Sequence, residues 1–186
     1  MPTPHPLSWL PNALTVLRCV LAGGVGWLIL IAHDTSIWPF AAFILVALTD
    51  FVDGYFARRF NAVSKFGAFL DPVADKLLVG ISLIAITLVQ SGAYLFLIPT
   101  AMIVFRDLIA TLLRLLPGID MPVSQLAKWK TALEMTGIGG LLLAFAFGST
   151  VFEDISLAIV WLAALLAVYT LGLYIGALLS NAKRPH

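Results

Sequence analysis

Four aspartates, Asp50, Asp53, Asp71 and Asp75, fall within twenty-six residues of a chain that is otherwise mostly hydrocarbon. Asp50 and Asp53 are three apart, and Asp71 and Asp75 are four apart. On a helix either spacing puts both carboxylates on one face. An ionised side chain in the middle of a membrane helix costs about 2.5 to 3.5 kcal/mol on insertion scales, and four anions together also repel one another. Carboxylate oxygens from two helices suit a hard divalent cation such as Mg²⁺. Four of them have room for two such ions, and an ion pair of that kind clamps a phosphate or pyrophosphate during displacement.

The neighbouring residues fit phosphate chemistry. Gly54 follows Asp53, and Gly67 lies four before Asp71 on the same face. Each glycine weakens a helix relative to alanine, but it leaves space for a ligand beside the carboxylates. Ala57 is also small, one turn beyond Asp53, and Arg58, one turn beyond Gly54, carries a fork suited to phosphate oxygens. The competing reading is structural. Asp–Arg clusters satisfy one another at helix ends, and small residues mediate helix packing in membranes. Four carboxylates on two facing helices, with both glycines, favour the functional reading.

The elements that must position these residues are membrane helices. The chain has 186 residues, 61% hydrophobic and only 11% charged, with a mean hydropathy of +1.01. Soluble domains carry about 25% charged residues. Six apolar stretches, Ala13–Ala32, Ile37–Arg59, Phe66–Gln90, Tyr94–Leu116, Ser124–Phe147 and Ile155–Leu179, each have the roughly twenty residues that cross a bilayer. The breaks between them are short: 33–36, Ser91-Gly92, Pro117–Pro122 and Gly148–Asp154. This predicts an all-α integral membrane protein, one domain over 1–186, with an interfacial segment at 1–12 and a six-helix bundle at 13–180. The short turn at 61–64 makes the second and third spans antiparallel neighbours, so the four carboxylates converge at one depth.

With the N-terminus inside, all eleven Lys and Arg residues fall in the cytoplasmic half or in cytoplasmic loops, while the outer connections hold Asp34, Glu153 and Asp154. That asymmetry predicts both termini in the cytoplasm. The N-terminal "MPTPHPLSWLPN" lacks the basic region of a secretory signal. Cys19 is a lone cysteine, which excludes an internal disulfide, and the three histidines sit at ends and in a loop, so no histidine metal site is expected.

The spacing Asp50-x2-Asp53-Gly54-x2-Ala57-Arg58-x8-Gly67-x3-Asp71-x3-Asp75 resembles the full motif of the CDP-alcohol phosphotransferases. "PNALTVLR" at Pro11–Arg18, "FGAFLDPVADK" at Phe66–Lys76 and "KWKT" at Lys128–Thr131 resemble the bacterial branch whose acceptor is glycerol 3-phosphate. The resemblance implies a metal-dependent phosphatidyltransferase with two Mg²⁺ or Mn²⁺ ions at Asp50, Asp53, Asp71 and Asp75, the last also the general base. It implies that Gly54, Arg58, Ser64 and Gly67 contact the CDP part of CDP-diacylglycerol, with Ala57 beside them. Asn12 and Thr15 would line the same nucleotide site; their alternative reading is helix N-capping. It further implies a bacterial inner-membrane protein with a cytoplasm-facing site. The expected partners are membrane lipids and a second copy of the chain, not nucleic acid.

A second set of charges, Arg106, Arg114, Lys128 and Lys130, lies on the fourth and fifth spans. Arg106 is too deep for an interfacial anchor, and a buried cation has a partner or a substrate. Asp107 is adjacent, but its position on the helix points it elsewhere. Lys128 and Lys130 are two apart and do not share a face. Glu134, four beyond Lys130, is its expected partner. The functional reading is a phosphate pocket for glycerol 3-phosphate; the bland one is topology-setting charges. Rival activities are another branch of the family, using phosphatidylglycerol or inositol phosphate, or a cation transporter built on the aspartates.

Overall fold

The structure is a computed structural model that describes residues 10–32, 34–60, 65–90, 93–115 and 125–182, with side chains at 16–32, 34–49, 76–90, 93–113, 125–126 and 128–176. The six predicted stretches all form helices: α1 (Leu10–Ala32), α2 (Trp38–Phe60), α3 (Lys65–Val89), α4 (Tyr94–Leu115), α5 (Gln125–Phe147) and α6 (Thr150–Ala182). Over the described residues, three stretches are long and apolar enough to cross a membrane: Tyr94–Leu113, Lys128–Phe147 and Thr150–Gly176. Short connections make successive helices alternate in direction. Among the described residues, α1 lies against both α2 and α3, α4 bridges α3 to α6, and α6 packs along α5, which returns to α2.

The outer surface of the bundle is apolar. Val20, Trp27, Leu45, Phe105 and Leu165 point outward and are more than half exposed. Inside, one hydrophobic cluster runs from Ile29 and Phe43 through Leu83 and Ile103 to Ile138 and Ala163. Small residues let α6 approach α5 closely. A Cβ on Gly140 would collide with the Ser156 side chain, and one on Gly137 would collide with that of Val160.

Two backbone details explain how the bundle is tied. Pro99 lies inside α4 and has no N–H to give the Leu95 carbonyl four residues back. The Trp161 indole N–H of α6 donates to that carbonyl at 3.1 Å. At the end of α5, Gly148 takes a positive φ of 61°, its N–H bonds Phe145 O at 3.3 Å, and the Ser149 N–H bonds Ala144 O at 3.1 Å. This is a Schellman ending, which glycine adopts without a Cβ penalty. Ser149 then caps α6, its Oγ accepting from the Phe152 N–H at 3.4 Å.

The boundaries correct two expectations. The break predicted at Gly148–Asp154 is a two-residue turn, and Glu153 and Asp154 lie inside α6. The cap at Ser149 starts the helix before these charges, and Glu153 in its first turn complements the helix dipole. Likewise α1 starts at Leu10, so Asn12 and Thr15 lie within the helix and neither is its cap. Pro11 is tolerated in the first turn, where its missing N–H had no intrahelical partner.

Candidate functional site

Among the described residues, five charged side chains, Lys76, Arg106, Asp107, Lys130 and Glu134, collect at one place inside the bundle. Asp107 on α4 is buried, and one of its oxygens, Oδ1, meets three cations from three helices. Lys130 Nζ of α5 lies 2.7 Å away, Arg106 Nη1 of α4 2.9 Å, and Lys76 Nζ of α3 3.1 Å. Lys130 Nζ also lies 2.7 Å from Glu134 Oε1, one turn along α5.

The sixth helix closes the cluster. Arg106 Nη2 donates to Thr170 Oγ1 at 3.1 Å, and Thr170 in turn donates to Ala167 O at 2.9 Å. The Arg106 guanidinium stands 6.0 Å from the centre of the Tyr174 ring, at the outer limit of a cation–π contact. Arg106 Nε is buried and makes no hydrogen bond among the described residues. Among the described residues, three cations and two carboxylates leave one positive charge unbalanced within the cluster. Buried charge of this kind is expensive unless paired.

The sequence-predicted residues divide into two groups. Asp50, Asp53, Gly54, Ala57 and Arg58 lie on α2, and Gly67, Asp71 and Asp75 on α3, with four residues connecting the two helices. Their side chains lie outside the described residues, as do those of Asn12, Thr15 and Arg114; Ser64 lies outside altogether. Of the second group, Arg106 and Lys130 come together as cluster members, and Lys130 pairs with Glu134 as expected. Lys128 is exposed while Lys130 is buried, in keeping with their different faces.

Two points depart from the sequence reading. Asp107 does not turn away from Arg106 but binds it. The arginine stem is long enough to curl back to its neighbour, so side-chain reach overrides the 100° step between adjacent positions. Sequence reasoning also missed Lys76, Thr170 and Tyr174. Lys76 is charged and sits one residue beyond the aspartate motif, which was a usable signal; Thr170 and Tyr174 are ordinary residues in an apolar helix and gave none.

These features define a helical membrane protein with a buried, cation-rich centre beside two aspartate-bearing helices. The sequence profile of the CDP-alcohol phosphatidyltransferase family matches residues 8–169. The chain belongs to the CDP-alcohol phosphatidyltransferase family. Among its relatives is the CDP-diacylglycerol–glycerol-3-phosphate 3-phosphatidyltransferase of Cereibacter sphaeroides, 43% identical over 143 residues, which are 74% of this chain and 65% of that protein. The protein of the same name from Rickettsia bellii is 36% identical over 171 residues, covering 87% of this chain and 90% of the relative. That of Shigella flexneri serotype 5b is 33% identical over 177 residues, covering 90% and 93%.

Proposed function

We propose that this chain transfers the phosphatidyl group of CDP-diacylglycerol to glycerol 3-phosphate, giving phosphatidylglycerophosphate and CMP. The observation that carries the choice of acceptor is the buried cluster on Asp107, which among the described residues has a surplus positive charge and an Arg106 Nε without a hydrogen bond. An acceptor bearing a phosphate supplies the anion this cluster lacks. A neutral alcohol would leave the charge unbalanced. The names of the relatives support the same donor and acceptor.

In this reading the six helices all span the membrane, both termini are cytoplasmic and the site faces the cytoplasm of a bacterial inner membrane. The described cations support it. Lys76 near the start of α3, Arg106 towards the end of α4, and Lys128 and Lys130 at the start of α5 share one end of the bundle. Exposed Trp38 and Tyr94, at the starts of α2 and α4, stand at the other end as an aromatic belt.

The donor site lies on α2, α3 and the first turns of α1. Asp50, Asp53, Asp71 and Asp75 form an all-oxygen donor set on two helices joined by four residues, which fits hard divalent cations, Mg²⁺ or Mn²⁺. Such ions supply charge stabilisation at the pyrophosphate. Arg58 pairs with phosphate oxygens, Gly54, Ala57, Ser64 and Gly67 leave room for the nucleotide, and Asn12 and Thr15 line it. Asp75 takes the proton of the acceptor hydroxyl as its oxygen bonds to the phosphorus carrying diacylglycerol. The bond from that phosphorus to CMP breaks, and CMP leaves. Because a carboxylate is a weak base for an alcohol, proton transfer accompanies bond formation. Arg106 and Lys130 hold the acceptor phosphate, with Lys128 and Arg114 at the rim.

The test offers the purified protein labelled CDP-diacylglycerol with glycerol 3-phosphate, glycerol, inositol phosphate or phosphatidylglycerol, and follows CMP release and the lipid product. Phosphatidylglycerophosphate from glycerol 3-phosphate is expected. CMP release only with another alcohol would refute the assignment.

A further inference from the structure

Three cations share Asp107, but they are not equivalent. The Arg106 side chain is 4% exposed and that of Lys130 2%, and each has a second partner, Thr170 or Glu134. The Lys76 side chain is 24% exposed, makes the longest of the three contacts at 3.1 Å, and has Asp107 as its only partner among the described residues. Lys76 also sits, with Asp107 and Thr111, among the lining residues of a cavity of about 230 Å³ between α3 and α4 whose other walls, including Ile81, Ile103 and Val104, are apolar. If Lys76 lets go, Asp107 keeps two cations. If Arg106 or Lys130 lets go, a buried charge loses a partner in a closed site, which is the costly case. Lys76 is therefore the cation most easily exchanged. It also follows Asp75 directly in α3, so the helix that carries the general base carries this lysine too.

We propose that Lys76 contacts the acceptor: it exchanges Asp107 for the phosphate of glycerol 3-phosphate, while Asp107 holds it in place when no acceptor is bound. Arg106 and Lys130 keep the pocket positive around it. This rests on the phosphatidyltransferase reading above and adds to it a residue that fixes where the acceptor phosphate sits relative to the base. A lysine suits the role because its ammonium is a compact charge on a flexible stem, able to change partners without rebuilding a fork.

The test uses the full-length protein in mixed micelles and compares wild type with Lys76→Gln and Lys76→Arg. A lost charge-assisted hydrogen bond predicts an acceptor KM raised roughly tenfold to a hundredfold in Lys76→Gln, with the donor KM within about twofold. Inorganic phosphate, used as a competitive inhibitor against glycerol 3-phosphate, should lose affinity by the same factor. Lys76→Arg should recover much of both. An unchanged acceptor KM in Lys76→Gln would overturn the proposal and leave Lys76 as a counter-ion of Asp107. A donor KM that rises as much as the acceptor KM would overturn it too, placing the lysine at the pyrophosphate. Aggregation of both variants on extraction would overturn it in favour of a purely structural lysine. Failure of wild type to release CMP with glycerol 3-phosphate would instead remove the underlying reading and this inference with it.

Discussion

Two polar regions adjoin on α3 and differ in sign. The first ends at Asp75 and consists in sequence of carboxylates, two on α2 and two on α3, with Arg58 also on α2. The second begins one residue later, at Lys76, and gathers three cations around a single carboxylate. In the first, as proposed, the like charges would repel one another until a divalent cation joins them. In the second, Asp107 and Glu134 together offset two of the three positive charges among the described residues, and one is left over. The same residue type thus has opposite roles: an aspartate in the first region adds to a deficit, whereas Asp107 relieves one. A reaction joining a pyrophosphate donor to a phosphorylated acceptor needs both kinds of site side by side.

The largest expected effect is on activity in the first region. Asp71→Asn preserves size and removes one charged ligand, so CMP release should fall to background while the protein still extracts as a monodisperse species. Chelation by EDTA should do the same to wild type. Near-normal turnover in either condition would break the assignment of the aspartates.

The contrast predicts opposite effects on stability. Asp107→Asn strips three cations of their shared partner and should destabilise by about 3 to 5 kcal/mol, the cost of breaking a buried pair. Asp71→Asn, assayed without divalent metal, removes repulsion and should leave the melting temperature unchanged or raised. Thermal unfolding of the two variants in the same detergent decides. Equal losses would mean that the two regions do not differ as described.

Both regions should also lie on the same side of the membrane. In a Cys19→Ser background, a cysteine at Ser64 should label from the cytoplasm and one at Ser36 from the opposite face. Labelling of both from one side would overturn the topology. The smallest effect is expected far from either region. Trp161→Phe removes the donor that satisfies the Leu95 carbonyl beneath Pro99. Hydrogen bonds between membrane helices average about 0.6 kcal/mol, so a small drop in melting temperature with unchanged KM values is expected.

How much of this was legible in the chain depends on how each region is assembled. The aspartates lie within 26 residues, so helical periodicity alone brings them onto two faces. The six helices were legible for the same local reason, since an apolar run of about twenty residues has few other fates. The Asp107 cluster draws on α3, α4, α5 and α6, over a separation of 64 residues between Arg106 and Thr170. No spacing rule connects such positions. The pairing of Lys130 with Glu134 was legible, being i to i+4 on one helix. That of Arg106 with Asp107 was misread because backbone direction was weighed above side-chain reach. The start of α6 was misplaced because charged residues were taken to end a helix, whereas Gly148 and Ser149 set the boundary through their backbone and cap.

The division of labour between the two regions is tested most directly by Arg106→Gln, assayed for both substrates in steady state. Arg106 is deep, buried and held by Asp107 and Thr170, so it is remote from any interfacial role. If the second region grips the acceptor phosphate, the acceptor KM should rise roughly tenfold to a hundredfold, the range of a lost charge-assisted hydrogen bond. The donor KM should hold, and kcat should change less, because the grip is similar in the ground and transition states. Equal changes in both KM values, or none in either, would contradict the account and return Arg106 to a structural ion pair.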